Sequence, residues 1–184
     1  MKTIAILALV PGCFWATEKS DVLDGYEVRG IVGDHNRGGS LHRTGGIAGL
    51  QVDAEAGARQ FRRDGDPNAY TGGSVGLSLR ASPFGIIASD HKLERYFDLG
   101  AEAGGEGSLI VGVPSKVAGA GAGWVGGWVE VGTIPLEDNG YLALTGNIRT
   151  MSMTDAWRDQ VVLAVGLAWR SRRVVTPEDL RVRD

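Results

Sequence analysis

The amino-acid sequence predicts an all-β protein: an antiparallel up-and-down β-barrel of about eight strands, preceded by an N-terminal export segment. Three observations carry that expectation. Strand-length runs between Thr44 and Arg173 alternate large apolar residues with small or charged ones, a period of two that gives an extended chain two chemically different faces. Polar turn clusters separate the runs; Glu137-Asp138-Asn139-Gly140 contains Asn-Gly, the strongest short hairpin signal. The 29 glycines recur inside the runs as well as between them, with no collagen-like triplet, so a flexible Gly-rich linker explains them poorly.

The chain of 184 residues suits one domain. A net charge of −3 argues against a generic polyanion binder such as nucleic acid, and no basic face is visible before the short Arg170, Arg172, Arg173 cluster. Lysine is confined to Lys2, Lys19, Lys92 and Lys116. The single cysteine excludes an internal disulfide and any Cys-rich metal site.

Residues 1–12 read as a signal segment: Lys2 is a short positive start and Ile4 to Val10 an apolar stretch. A helix this short cannot span a bilayer, which takes ~20 apolar residues. Val10-Pro11-Gly12-Cys13 resembles the bacterial lipobox, which makes Cys13 the candidate lipidation site of a lipoprotein. An ordinary signal peptide, or a short buried strand with an inert thiol, is the alternative. Residues 13–24 then form a tether, 25–173 the barrel domain and 174–184 a polar tail.

Within the barrel, Tyr26 to Gly33 is the first expected strand, closed by the turn Asp34 to Gly39. Ile47 to Gln60 follows, then a charged loop from Arg62 to Asn68, and a strand from Ala69 to Ala81 ended by Pro83. Phe84 to Ala88 reads equally as a short strand or a turn. Tyr96 to Gly104 alternates again, and Ser108 to Val113 is a further candidate. The glycine run Ala118 to Gly127 lacks the ending a phosphate loop needs and reads as a flexible loop entering a strand at Gly123 to Gly132. Tyr141 to Met151 and Gln160 to Arg170 complete the set.

Alternation alone fits two opposite proteins: a soluble barrel with an apolar core, or a membrane barrel with apolar residues outside and polar ones within. Three features favour the second. The polar parity is crowded with Gly, Ala and Ser, as a narrow lumen requires; lysine, common on exposed strand faces, is missing; and both signs of charge are present, so buried charges can pair. The expected lumen set is Gln51, Asp53, Glu55, Arg59, Arg80, Asp98, Glu102, Glu130, Asn147 and Arg149. The expected lipid-facing set is Leu50, Val52, Val75, Leu77, Leu79, Phe97, Leu99, Leu142, Leu144, Val161, Leu163, Val165 and Leu167. Tyr70, Tyr96, Phe97, Tyr141 and Trp169 lie near strand ends, where an interfacial girdle would place them. Trp124 and Trp128 fall on the glycine-rich parity, as lumen plugs or as a sign that the facing is wrong there.

The closing run Val161-Val162-Leu163-Ala164-Val165-Gly166-Leu167-Ala168-Trp169-Arg170 resembles the last strand of small bacterial outer-membrane β-barrel proteins. The resemblance covers about two-thirds of the chain as a pattern. It implies a cell-envelope location in the bacterial outer membrane, with membrane lipid as partner and transmembrane β-strands as the means of insertion. It does not fix an activity, because that family holds anchors, adhesion proteins, small pores and a few lipid-modifying enzymes.

No cofactor or metal is expected. His35, His42 and His91 read as polar loop residues, and Ser89-Asp90-His91-Lys92 matches S-x-x-K without the companion motifs that give it meaning. The expected role is structural or surface-interacting rather than catalytic, through loops such as Arg62–Asn68 and Met151–Trp157, with a side-chain-filled lumen that conducts poorly. Two alternatives stand beside it. One is a lipid-anchored soluble (periplasmic) barrel whose cavity, lined by Leu50, Val52, Leu77, Leu99, Leu144 and Leu163, binds a small apolar ligand. The other is an envelope lipid hydrolase using Ser89, His91 and Asp90 or Glu94.

Overall fold

A computed structural model describes residues 20–33, 36–47, 49–82, 97–113, 116–136, 140–154 and 157–175. The alternating runs become eight strands: β1 Ser20–Gly33, β2 Asn36–Ile47, β3 Leu50–Arg62, β4 Ala69–Ala81, β5 Phe97–Val113, β6 Lys116–Pro135, β7 Gly140–Met153 and β8 Gln160–Val175. Each pairs antiparallel with its sequence neighbour, and β1 pairs with β8 to close the barrel. Closure satisfies every strand edge within the chain, which an open sheet cannot do.

The boundaries differ from the sequence expectation in instructive ways. Ile47 to Gln60 is not one strand: the chain reverses between Ile47 and Leu50, which pair with each other. Gly49, at φ 79°, supplies a left-handed conformation that a residue with a Cβ adopts at a cost. Asn36 to Gly39, expected as part of a turn, opens β2. Ser108 to Val113 is the end of β5, and the glycine run 118–127 lies within β6 rather than in a loop. Barrel pairing also reaches into the expected tether, with Ser20 to Asp24 against Ser171 to Val175.

Adjacent elements meet at two ends. The loops after β1, β3, β5 and β7 share one end, here called the loop end. The described ends of β1 and β8 share the other, the terminal end, with the connections after β2, β4 and β6. Cys13, His35, Phe84 to Ala88, the Ser89–Glu94 group and Tyr96 lie outside the described residues.

Among the described residues the barrel has a mainly polar and charged interior, with only small apolar clusters. Its outer wall carries Val28, Val75, Leu77, Leu109, Val125, Val165 and Leu167, all more than half exposed, while Asp53, Arg80 and Arg170 are almost completely buried.

Candidate functional site

The interior is the most distinctive chemical environment among the described residues. An eight-stranded barrel is just wide enough for its own side chains, and inward glycines make the room. A Cβ on Gly104 would fall 2.6 Å from Trp124 Cζ2, one on Gly166 2.8 Å from Arg29 Cγ, and one on Gly126 2.1 Å from the Ile148 carbonyl oxygen. Glycine therefore lets Trp124 and Arg29 lie across the lumen.

The charges lie in three groups along the barrel, the first two joined through Glu27. Toward the terminal end, Arg170 Nη2 donates to Glu27 Oε2 at 2.8 Å and lies 2.8 Å from Glu130 Oε2. Tyr141 donates its hydroxyl to Glu130 at 3.2 Å, and Arg29 Nη2 reaches Glu27 at 2.8 Å. At mid-height Arg80 stands among Asp53 at 3.2 Å, Glu102 at 3.3 Å and Glu27 at 3.7 Å. Arg149 bridges Glu102 and Glu55, each at 2.7 Å. Asn147 donates to Glu102 at 2.9 Å, and Thr44 to Asp53 at 2.8 Å.

Nearer the loop end, Arg59 pairs with Glu106, whose Oε1 also accepts from Ser108 at 3.2 Å. The arginines rest on aromatic faces as well: Arg149 lies 4.7 Å from the Trp124 ring centre, Arg80 5.7 Å from Trp128, and Arg59 4.9 Å from Phe61. An apolar cluster of Phe61, Tyr70, Ile110 and Trp157 closes this end of the lumen.

All ten residues of the expected lumen set turn inward, and Glu55, the least covered of them, keeps a side chain only 8% exposed. The lumen also holds Glu27, Arg29, His42, Glu106 and Arg170, which the sequence reading did not assign to it. Parity against Val28 was the available signal for Glu27 and Arg29. His42 reads as a loop residue in the sequence, and Glu106 falls between two stretches read as separate strands that are one continuous β5. All of the expected lipid-facing set except Leu142 are more than one-third exposed on the outer wall, and Leu142 is half-buried on that same face.

Two expectations are corrected. Tyr70 and Tyr141 point inward at 7% and 1% exposure and form no outer girdle. Among the described residues the outward aromatics are Phe97, Trp169 and Tyr26; Tyr26 stacks on Trp169 at 6.3 Å and carries the Arg43 guanidinium at 4.4 Å. The six residues expected to line an apolar cavity, Leu50, Val52, Leu77, Leu99, Leu144 and Leu163, all stand on the outer wall and line no lumen. Trp124 and Trp128 are lumen plugs.

At the loop end, Arg63 bridges Trp157 and Arg158 pairs with Asp64 at 3.2 Å, so the β3–β4 and β7–β8 loops are tied together. Asp66 is held below the usual carboxylate range, first by the hydroxyl donated from Tyr70 and then by the backbone N–H of Asn68.

No protein-family model matches the chain, and no curated protein matches it in sequence. Its fold has solved counterparts. Neisserial surface protein A matches with a TM-score of 0.53 at 9% identity, over 84% of this chain and 97% of the other. A major outer membrane protein from Thermus thermophilus matches at 0.49 and 12% identity, over 82% of this chain and 99% of that one. The N-terminal β-barrel domain of Pseudomonas aeruginosa OprF matches at 0.44 and 9%, over 84% and 98%. The first likeness places this chain in the fold of small eight-stranded β-barrels.

Proposed function

We propose that this protein is an integral barrel of the bacterial outer membrane with a structural or loop-mediated surface role. The observation that carries this reading is the inversion of the barrel: among the described residues, an ion-paired interior stands inside a wall of exposed Val, Leu and Ile side chains. In water such a wall would be a severe aggregation liability; in hydrocarbon it is the stable arrangement. Every strand is at least 12 residues long, and a tilted crossing takes ~9–11. The fold shared with Neisserial surface protein A agrees with that setting.

A general porin is disfavoured by the same interior, because Arg80, Arg149 and Arg170 span the lumen and Phe61, Tyr70 and Trp157 cover its loop end. The joined loops offer exposed Arg63, Asp64, Arg158 and Asp159 to a surface partner. The test is expression of the full chain beside Cys13→Ser, followed by alkaline carbonate extraction of isolated membranes. Retention of both forms supports the barrel as its own anchor. Release of the Ser form into solution overturns it.

A further inference from the structure

The most unusual group in the lumen is a short relay on neighbouring strands. Ser40 Oγ lies 2.6 Å from His42 Nε2, and His42 Nδ1 lies 2.8 Å from Asp53 Oδ2. Ser40 and His42 share the inward face of β2, and Asp53 reaches His42 diagonally from β3, where it pairs with Thr44. A carboxylate only accepts hydrogen bonds, so Nδ1 carries a proton toward Asp53, and in the neutral imidazole the Nε2 lone pair then accepts from the serine hydroxyl. Asp53 is fixed in turn by Thr44 and Arg80. A nucleophile, a base and a group that orients the base thus stand in order.

Three further features belong to the same place. Ser40 keeps solvent contact whereas His42 and Asp53 are buried. Ser40 and His42 border an internal cavity of ~10 Å³, room for about one water molecule. Arg29 and Arg59 border it too, and neither Arg29 Nη1 nor Arg59 Nε finds a hydrogen-bond partner within the chain. Free N–H donors beside a nucleophile are what a developing oxyanion requires. Gly57 faces Ser40 across the strand pair, and a Cβ there would lie 2.9 Å from Ser40 Cβ.

Glu55 also approaches His42, at 3.6 Å from Nδ1, so a cation held by His42, Asp53 and Glu55 is the rival reading. Charge decides against it. Arg80 already lies 3.2 Å from Asp53, and Arg149 2.7 Å from Glu55. A metal ion would have to sit between those two guanidinium groups.

We propose that Ser40, His42 and Asp53 form an acyl-transfer centre that hydrolyses small carboxylic esters reaching Ser40 from the side on which it keeps solvent contact, the cavity itself having room only for the hydrolytic water. Ser40 Oγ attacks the ester carbonyl carbon as His42 Nε2 takes the hydroxyl proton, and Arg29 and Arg59 face the oxyanion. The carbon–oxygen bond to the alcohol then breaks, and the alcohol leaves with the proton from His42. Water forms the next bond to the acyl carbon, giving a proton to His42. The acyl–Oγ bond breaks, and His42 returns the proton to Ser40. Ester and water become acid and alcohol without an oxidant or a metal. Asp53 acts as a positioning residue. This chemistry is the same wherever the barrel resides.

The test uses the full chain folded in detergent, with methanesulfonyl fluoride and p-nitrophenyl acetate as probes. The wild type is expected to take one methanesulfonyl group, mapped by mass spectrometry to Ser40, with loss of fluoride. It should hydrolyse the acetate on the order of 100-fold faster than Ser40→Ala. His42→Gln should lose both reactions, and Asp53→Asn should lose kcat with KM unchanged. Gel mobility without heating shows whether each variant is folded. Wild-type labelling needs no variant: a folded wild type that stays unlabelled at Ser40, or a Ser40→Ala variant as active as the wild type, overturns the proposal.

Discussion

Replacing Arg170 with Met asks whether the lumen is a low-dielectric plug or a wet channel. Arg170 is 0% exposed and lies 2.8 Å from both Glu27 and Glu130, whose side chains are 0% and 4% exposed. Methionine fills most of the volume but removes the charge. Glu27 keeps Arg29, yet Glu130 is left with the neutral Tyr141 hydroxyl at 3.2 Å. Removing one partner of a buried ion pair costs about 3–5 kcal/mol, mostly from the carboxylate left behind; if the lumen were solvated, the same change would cost about 1 kcal/mol or less. Arg80→Met should cost less than Arg170→Met despite its central place. Asp53, Glu102 and Glu27 each keep another donor: His42, Arg149 and Arg29. The assay is guanidinium unfolding in detergent or liposomes, followed by tryptophan fluorescence. Adding Glu130→Gln to Arg170→Met should recover a large part of the loss. An Arg170→Met cost below about 1 kcal/mol, or no recovery in the double variant, would refute the reasoning.

Leu167→Arg places a charge on the outer wall, where Leu167 is 62% exposed between Val28 and Leu144; liposome folding should weaken by about 2–4 kcal/mol, measured by the same unfolding titration. Gly104→Val drives a side chain into Trp124 and the Leu77 carbonyl, and overpacking of this kind costs about 1–3 kcal/mol; an unchanged unfolding midpoint contradicts the packing described. The Tyr70–Asp66 contact should survive ordinary acidification. Because the Asp66 carboxyl is held below 3.8, its contribution is complete above that value and is lost only as pH falls through the lower, folded one. Protease nicking of the 63–68 loop should therefore stay low down to pH ~4, while Asp66→Asn raises nicking at neutral pH.

Much of the wall was legible because β-structure writes its two faces into alternate residues. Val161 to Trp169 shows this most clearly, every odd position exposed and every even one buried. Legibility failed where small residues blur the contrast. In β2, Gly38, Gly39, Gly45 and Gly46 flank Leu41 and His42, and a polar, Gly-rich stretch reads as a turn. In β6, Gly119, Gly121 and Gly123 share the outward parity of Val117 and Val125 and so blur the wall, while the room for Trp124 comes from Gly104 on β5, which only the assembled barrel shows. The Ser40–His42–Asp53 relay was hidden for a related reason. Two of its members share a strand at a spacing of two, but the third arrives through the register of β2 on β3, and that register turns on the reversal at Gly49. Alternation gives a face; it does not give a partner.

The most direct test of the inverted barrel is quenching of single tryptophans by lipids brominated at upper acyl carbons. One variant keeps Trp169, 41% exposed on the outer wall, and the other keeps Trp128, 6% exposed in the lumen; the remaining tryptophans become phenylalanine. Both are folded into liposomes. The account expects strong quenching of Trp169 and little of Trp128. Strong quenching of Trp128 with Trp169 unaffected would contradict the assignment of the two faces.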